Sequence, residues 1–185
     1  MSRAIAAVRR HGVDPADLFA FGAFALFAYA LKDRYSDAAP EQLRFILAPT
    51  ARLIEIATAA SWPFEAGVGY VNTAHSTAIV PACAGVNFWI IAAATLVVGF
   101  TTRFAGLRAK LAFVAGSVAV AFACTSLVNA LRILSDLALR ELALGAAMHA
   151  EMHRVLGVVV YLGSACLLYA GADRCLRGAR GGQAP

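Results

Sequence analysis

From Ala66 to Thr102 the chain carries no Asp, Glu, Lys or Arg, and Leu18 to Leu31, Leu111 to Leu131 and Val155 to Ala172 are equally free of charge. A helix needs about 20 apolar residues to cross the hydrocarbon of a bilayer. The last two runs qualify directly. The long run is polar in its first part, rich in Gly, Thr, Ser, Asn and His up to Pro81, so only about Ala84 to Thr102 is assigned to a span. The Leu18 run is short, but Asp14 followed by Pro15 is a good helix start and lets the span begin earlier. With 61% hydrophobic and 15% charged residues and a mean hydropathy of +0.70, the chain reads as an all-α integral membrane protein with about four transmembrane helices.

Orientation follows from the basic residues, which are retained on the cytoplasmic side of short loops. With the N-terminus inside, the cytoplasmic pieces hold Arg3, Arg9 and Arg10, then Arg103, Arg108 and Lys110, then Arg174, Arg177 and Arg180. The acids beside them are Asp14, Asp17 and Asp173. The external pieces balance Lys32, Arg34, Arg44, Arg52, Arg132, Arg140 and Arg154 against eight acids. The expectation is therefore a multi-pass protein of the cytoplasmic (inner) cell membrane with both termini inside. The net charge of +5 is a topology signal and gives no support for nucleic-acid binding. An alternative for the first span is a cleaved secretory signal, since Ala28-Tyr29-Ala30 has the small-x-small pattern of a cleavage site.

Between the spans, Leu43 to Ala60 is apolar but carries Arg44, Arg52 and Glu55, which suits an amphipathic helix on the outer face better than a span. Ile133 to Met152, with Asp136, Arg140 and Glu141 among leucines and alanines, reads as a second interfacial helix. From Phe64 to Pro81, Gly67 and Gly69 beside Val68, Tyr70 and Val71, then Thr77 to Val80 after a polar turn at Asn72 to Ser76, predict a short β-hairpin before Cys83, with an irregular loop as the alternative. One membrane-embedded domain covers residues 1–177, and residues 178–185 read as a disordered cytoplasmic tail.

Three reactive side chains fall where spans meet the outer surface: Cys83 opening one, Arg132 closing the next and His153 opening the last. Cys124 and Cys166 lie inside apolar helices and read as small buried residues, while Cys175 is in the tail. Only Cys83 stands on the oxidising side, so it is expected to be a free thiol. A helix starting near Cys83 would turn its free N–H groups toward the sulfur and favour thiolate; simple packing is the competing reading. Asn87 lies one turn after Cys83, and Asn129 shares a helical face with Arg132. A guanidinium suits a developing oxyanion, although Arg132 also fits a snorkelling charge at the end of a span. His149 and His153 are spaced i,i+4 and could instead hold a metal, which keeps a metal-binding or transport protein using these two and Cys83 as the alternative. More simply, one of them is a general base. Gly157 and Tyr161 follow His153 on one face, and His75 reads as a solvated loop residue.

Cys83-Ala84-Gly85 at a span start, Asn129-Ala130-Leu131-Arg132 at a span end, and His153 followed by Gly157 and Tyr161 resemble the three signature blocks of the exosortase and archaeosortase family. The compact length and the Glu65 to Asn87 segment resemble its exosortase K branch. The resemblance implies a multi-pass cysteine transpeptidase or peptidase with Cys83, Arg132 and His153 as its catalytic residues and its active site on the outer face. Its substrates would be exported proteins bearing a C-terminal motif, a hydrophobic helix and a basic tail. Neither the residues nor the resemblance calls for a cofactor.

Overall fold

In a computed structural model, residues 14–141 and 146–181 are described, with the backbone alone for 141, 146–150, 153 and 179–181. The chain runs α1 (Pro15–Ser36), α2 (Arg44–Thr58), β1 (Phe64–Glu65), β2 (Gly69–Asn72), β3 (Thr77–Ile79), a single 3-10 turn (Pro81–Cys83), α3 (Val86–Phe100), α4 (Leu107–Glu141) and α5 (Ala146–Gly181). A second 3-10 turn, Thr101–Arg103, links α3 toward α4. The helical stretches Pro15–Ser36, Pro81–Arg103, Leu107–Arg140 and Arg154–Gly178 are each long and apolar enough to cross a membrane. This is an all-α membrane protein with one small sheet.

Asp14 caps α1 by accepting the Ala16 N–H at 2.9 Å, with Pro15 filling the first helical position where a missing N–H costs nothing. The helix runs unbroken through Ala28-Tyr29-Ala30 and gives Ala20 and Phe24 to the core. α3 and α4 form the central pair, and α1 and α5 each pack against both. In lipid there is no hydrophobic drive between helices, so close packing and internal hydrogen bonds must hold them together. Ala92, Ala93, Val97 and Ala121 are buried at this centre, and the Trp89 indole donates to the Val118 carbonyl at 2.9 Å. Val155, Val159, Leu162 and Leu167 of α5 face outward as a lipid-facing surface does.

One end of the bundle is tied by charge. The Lys110 ammonium, its side chain 3% exposed, sits 2.5 Å from both Asp14 and Asp17 and joins α4 to α1. Asp173 of α5 takes Arg103 at 2.9 Å and Arg177 at 2.8 Å. Around Phe100 the same end is stacked, with Tyr169 at 4.9 Å between ring centroids and the Arg103 guanidinium at 4.6 Å.

The other end holds α2, the sheet and Cys83. α2 buries Ile46, Leu47, Thr50, Ala51 and Ile54 along one face, packs on α4 and β2, and stacks Phe45 on Phe122 at 6.5 Å. The three strands are antiparallel in the order β1-β2-β3, pairing Phe64 with Tyr70 and Tyr70 with Ile79. The expected hairpin is thus β2–β3, widened by β1.

Two boundaries differ from expectation. Ile133 to Met152 is not a separate interfacial helix: α4 continues to Glu141 and α5 has begun by Ala146. No Gly or Pro interrupts the sequence from Ser117 to Leu144, so nothing breaks the helix where its polar residues begin. At about 1.5 Å per residue α4 is far longer than a hydrocarbon core is thick, so it carries Asp136 and Arg140 beyond its apolar stretch. The tail expected to be disordered from Gly178 stays helical to Gly181, and 182–185 lie outside the described residues.

Candidate functional site

Cys83 closes the Pro81–Cys83 turn, and its N–H bonds the Val80 carbonyl at 2.8 Å. α3 starts at Val86, so the expected helix N-terminus at the cysteine lies three residues further on. Gly85 makes the join. Its φ of 68° is left-handed, and a Cβ there would stand 3.0 Å from Thr125 Cγ2 and 3.7 Å from Asn129 Cγ, so neither the backbone nor the space suits another residue. Cys83 is half-buried, and all four cysteines are free thiols. Cys124 is partly buried as expected, but Cys166 is exposed, because α5 packs through one face and Cys166 lies on the other.

A chain of hydrogen bonds leads from the cysteine turn to Arg132. Asn129, fully buried on α4, donates from Nδ2 to the Cys83 carbonyl. Its Oδ1 accepts the Tyr161 hydroxyl at 3.3 Å, and that oxygen in turn accepts from Arg132 Nη1 at 3.3 Å. The Arg132 guanidinium lies 5.6 Å from the Tyr161 ring centroid, and that ring stacks on Phe88 at 4.9 Å. Gly157 gives Arg132 its room: a Cβ there would meet Nε at 3.5 Å. Two helices and the cysteine turn thereby hold one polar line through an apolar bundle, where an unsatisfied polar group is costly.

Beside this line opens a cleft of about 720 Å³. Ala82 and Gly85, on either side of the cysteine, line it with Arg132, Gly157 and Tyr161, and its rim carries Asp136, Arg140 and Arg154. Arg140 grips Asp136 from Nε at 3.2 Å and Nη2 at 3.1 Å, and reaches Thr77 Oγ1 at 3.3 Å. The rim is net cationic, which suits a chemistry that develops negative charge.

Of the residues singled out in the sequence, Cys83, Asn129, Arg132, Gly157 and Tyr161 come together. Asn87 also lines the cleft, but its Oδ1 is occupied by Lys32 Nζ at 2.8 Å. His153 falls one turn before Gly157 and two before Tyr161 on α5; its side chain and that of His149 lie outside the described residues. Among the described residues no group of three or more His, Cys, Asp or Glu comes together. His75 is exposed in the β2–β3 turn, its ring stacked 6.5 Å from Trp62.

Sequence reasoning missed α1. Besides the Lys32 bond, Tyr35 donates its hydroxyl to the Pro81 carbonyl at 3.1 Å and lines the cleft. Lys32 and Tyr35 share one face at the end of the first span, a signal that was readable as a polar stripe. No protein-family model, no curated protein and no solved structure matches this chain.

Proposed function

We propose that the protein is a membrane-embedded cysteine peptidase or transpeptidase of the exosortase type, acting at the outer membrane surface on exported proteins anchored by a C-terminal hydrophobic helix. The observation that carries the reading is the hydrogen-bonded line from the Cys83 turn through Asn129 and Tyr161 to Arg132, at the edge of an open cleft. It joins the main chain of the thiol-bearing turn to a permanent cation with few intervening atoms, beside a cleft lined by Ala82, Gly85 and Arg132.

In this mechanism the Cys83 thiolate attacks a substrate backbone carbonyl, forming a C–S bond and a tetrahedral oxyanion. Arg132 stabilises that charge with guanidinium donors. His153 takes the thiol proton and returns it to the amine that leaves as the C–N bond breaks. The acyl group is then on sulfur as a thioester. An acceptor amine, or water, attacks it, and the C–S bond breaks to release product and thiol. Confinement of substrate and enzyme to one membrane supplies orientation that a dilute encounter lacks. The basic residues of the Lys110 end support a cytoplasmic assignment for it, and hence an outer one for the cleft.

The test is genetic and direct. In cells that express the protein, Cys83→Ala is expected to leave full-length precursors of helix-anchored exported proteins uncleaved. Processing unchanged in that variant would sink the peptidase reading.

A further inference from the structure

The sheet lies in the chain immediately before the cysteine, and β3, the edge strand nearer to it in the chain, is unpaired on its outer side among the described residues. Val71 donates its N–H to the Pro63 carbonyl at 3.0 Å, so Val71 faces β1. Main-chain groups alternate sides along a strand, so Tyr70 and Asn72 face β3. Their partners Ile79 and Thr77 therefore exchange hydrogen bonds with β2, whereas Ala78, opposite Val71, turns its N–H and C=O away. Among the described residues no strand lies beyond β3 and the Ala78 main chain takes no partner. An edge of this kind is a ready template for another extended chain.

Its position relates it to the site. Val80, two residues on, faces the same side by the same alternation, and its carbonyl accepts the Cys83 N–H at 2.8 Å. The turn bearing the thiol thus closes on the open side of β3. At the start of the strand, Thr77 Oγ1 accepts from Arg140, a rim residue of the cleft. Both ends of the edge are fastened to the walls that hold Cys83 and Arg132. The strand is only three residues long, too short to recruit other sheets on its own but sufficient to align a peptide already held in the membrane.

We propose that the open edge of β3 is the peptide subsite of this enzyme: the extended segment of the substrate beside its scissile bond adds to the sheet as a fourth strand, pairing its main chain with Ala78. The inference rests on the peptidase reading and deepens it. Recognition through the main chain is largely indifferent to side chains, which leaves selection to the cleft and to the substrate's anchor.

The experiment uses the full-length protein in detergent and follows alkylation of Cys83 by intact mass. The probes are methyl vinyl sulfone, which has no peptide arm, and acetyl-Val-Ala-Val-Ala vinyl sulfone. The arm is expected to raise the second-order rate about tenfold or more, since two added main-chain hydrogen bonds reach that factor. Single N-methyl groups walked along the arm should abolish the gain at every second position, because only alternate N–H groups face the edge. That measurement leaves the protein unaltered. Ala78→Pro, which deletes an outward N–H at an edge position where proline is tolerated, should remove most of the gain while the methyl vinyl sulfone rate holds. An arm that gives no acceleration, a loss without alternation, or an Ala78→Pro protein as fast as wild type would overturn the subsite. Resistance of Cys83 to both probes is a separate result, which would overturn the nucleophile and the subsite with it.

Discussion

Tyr161 is the residue on which the polar line turns, since its hydroxyl both accepts from Arg132 and donates to Asn129. Tyr161→Phe keeps the stack on Phe88 and deletes only that oxygen. A hydrogen bond to a charged group contributes about 1.5–3 kcal/mol, so turnover should fall at least about tenfold in a processing assay with little change in protein yield. Two substitutions at Gly157 should differ in effect. Gly157→Ala brings a Cβ to ordinary contact with Arg132 Nε and should keep most activity, whereas Gly157→Leu must displace the guanidinium and should lose it. Gly85→Ala meets both a left-handed φ and Thr125, and should destabilise the fold by about 1–2 kcal/mol in thermal unfolding; adding Thr125→Ala should recover only the contact part. Asn129 with Arg132 and Gly157 with Tyr161 were legible from helical spacing near a span boundary, and Cys83 from its place where a polar stretch meets an apolar one. Lys32 and Tyr35 were readable only as a polar stripe at the end of the first span; their place at the site was not, because their partners Asn87 and Pro81 lie far along the chain.

The elements were legible where apolar length decides them and less so where polarity had to be interpreted. α1 begins at the Asp14-Pro15 signal, and α2 shows the buried stripe its spacing implied. The polar residues of Ile133 to Met152 suggested a new element lying on the membrane, but a helix rich in Leu and Ala with no breaker simply continues, and the charges ride on its extension. The sheet is seated by carboxylates that the strand pattern does not reveal. Glu41 accepts the Gly67 N–H at 2.7 Å, and Glu55 accepts the Trp62 N–H at 3.1 Å and Arg52 at 3.0 Å. The backbone N–H donors first, and then the neighbouring arginine for Glu55, hold both carboxyls below their ordinary values. A carboxyl whose pKa is depressed by folding stabilises the fold above its unfolded pKa, and that contribution is lost as pH falls through the folded one. In a Trp89→Phe background, emission from buried Trp62 should therefore be steady above about pH 5 and shift to the red on acidification below about pH 4. Glu55→Gln should blunt that step, and an unaltered step would remove Glu55 from the seat.

On the scale of the molecule, the two ends of the bundle are built for different work. One is locked by ion pairs across Lys110, Asp14 and Asp17 and across Asp173, Arg103 and Arg177. The other holds a cleft, the half-buried cysteine turn and a strand edge that is unpaired among the described residues. Replacing Lys110 by Met leaves two carboxylates facing each other and should lower the unfolding midpoint in detergent, with recovery when Asp14→Asn and Asp17→Asn are added. Cleft chemistry in the purified triple variant should remain near that of wild type, because the lock and the site lie at opposite ends. The central claim is that Cys83 carries the acyl group. Acid-quenching the full-length protein during processing of a helix-anchored precursor and reading its intact mass tests this most directly. The expected result is an adduct confined to Cys83, heavier than the free enzyme by the mass of the N-terminal product acid less one water, and removed by hydroxylamine as a thioester is. Processing that proceeds with no such adduct, and equally well in Cys83→Ala, would contradict it.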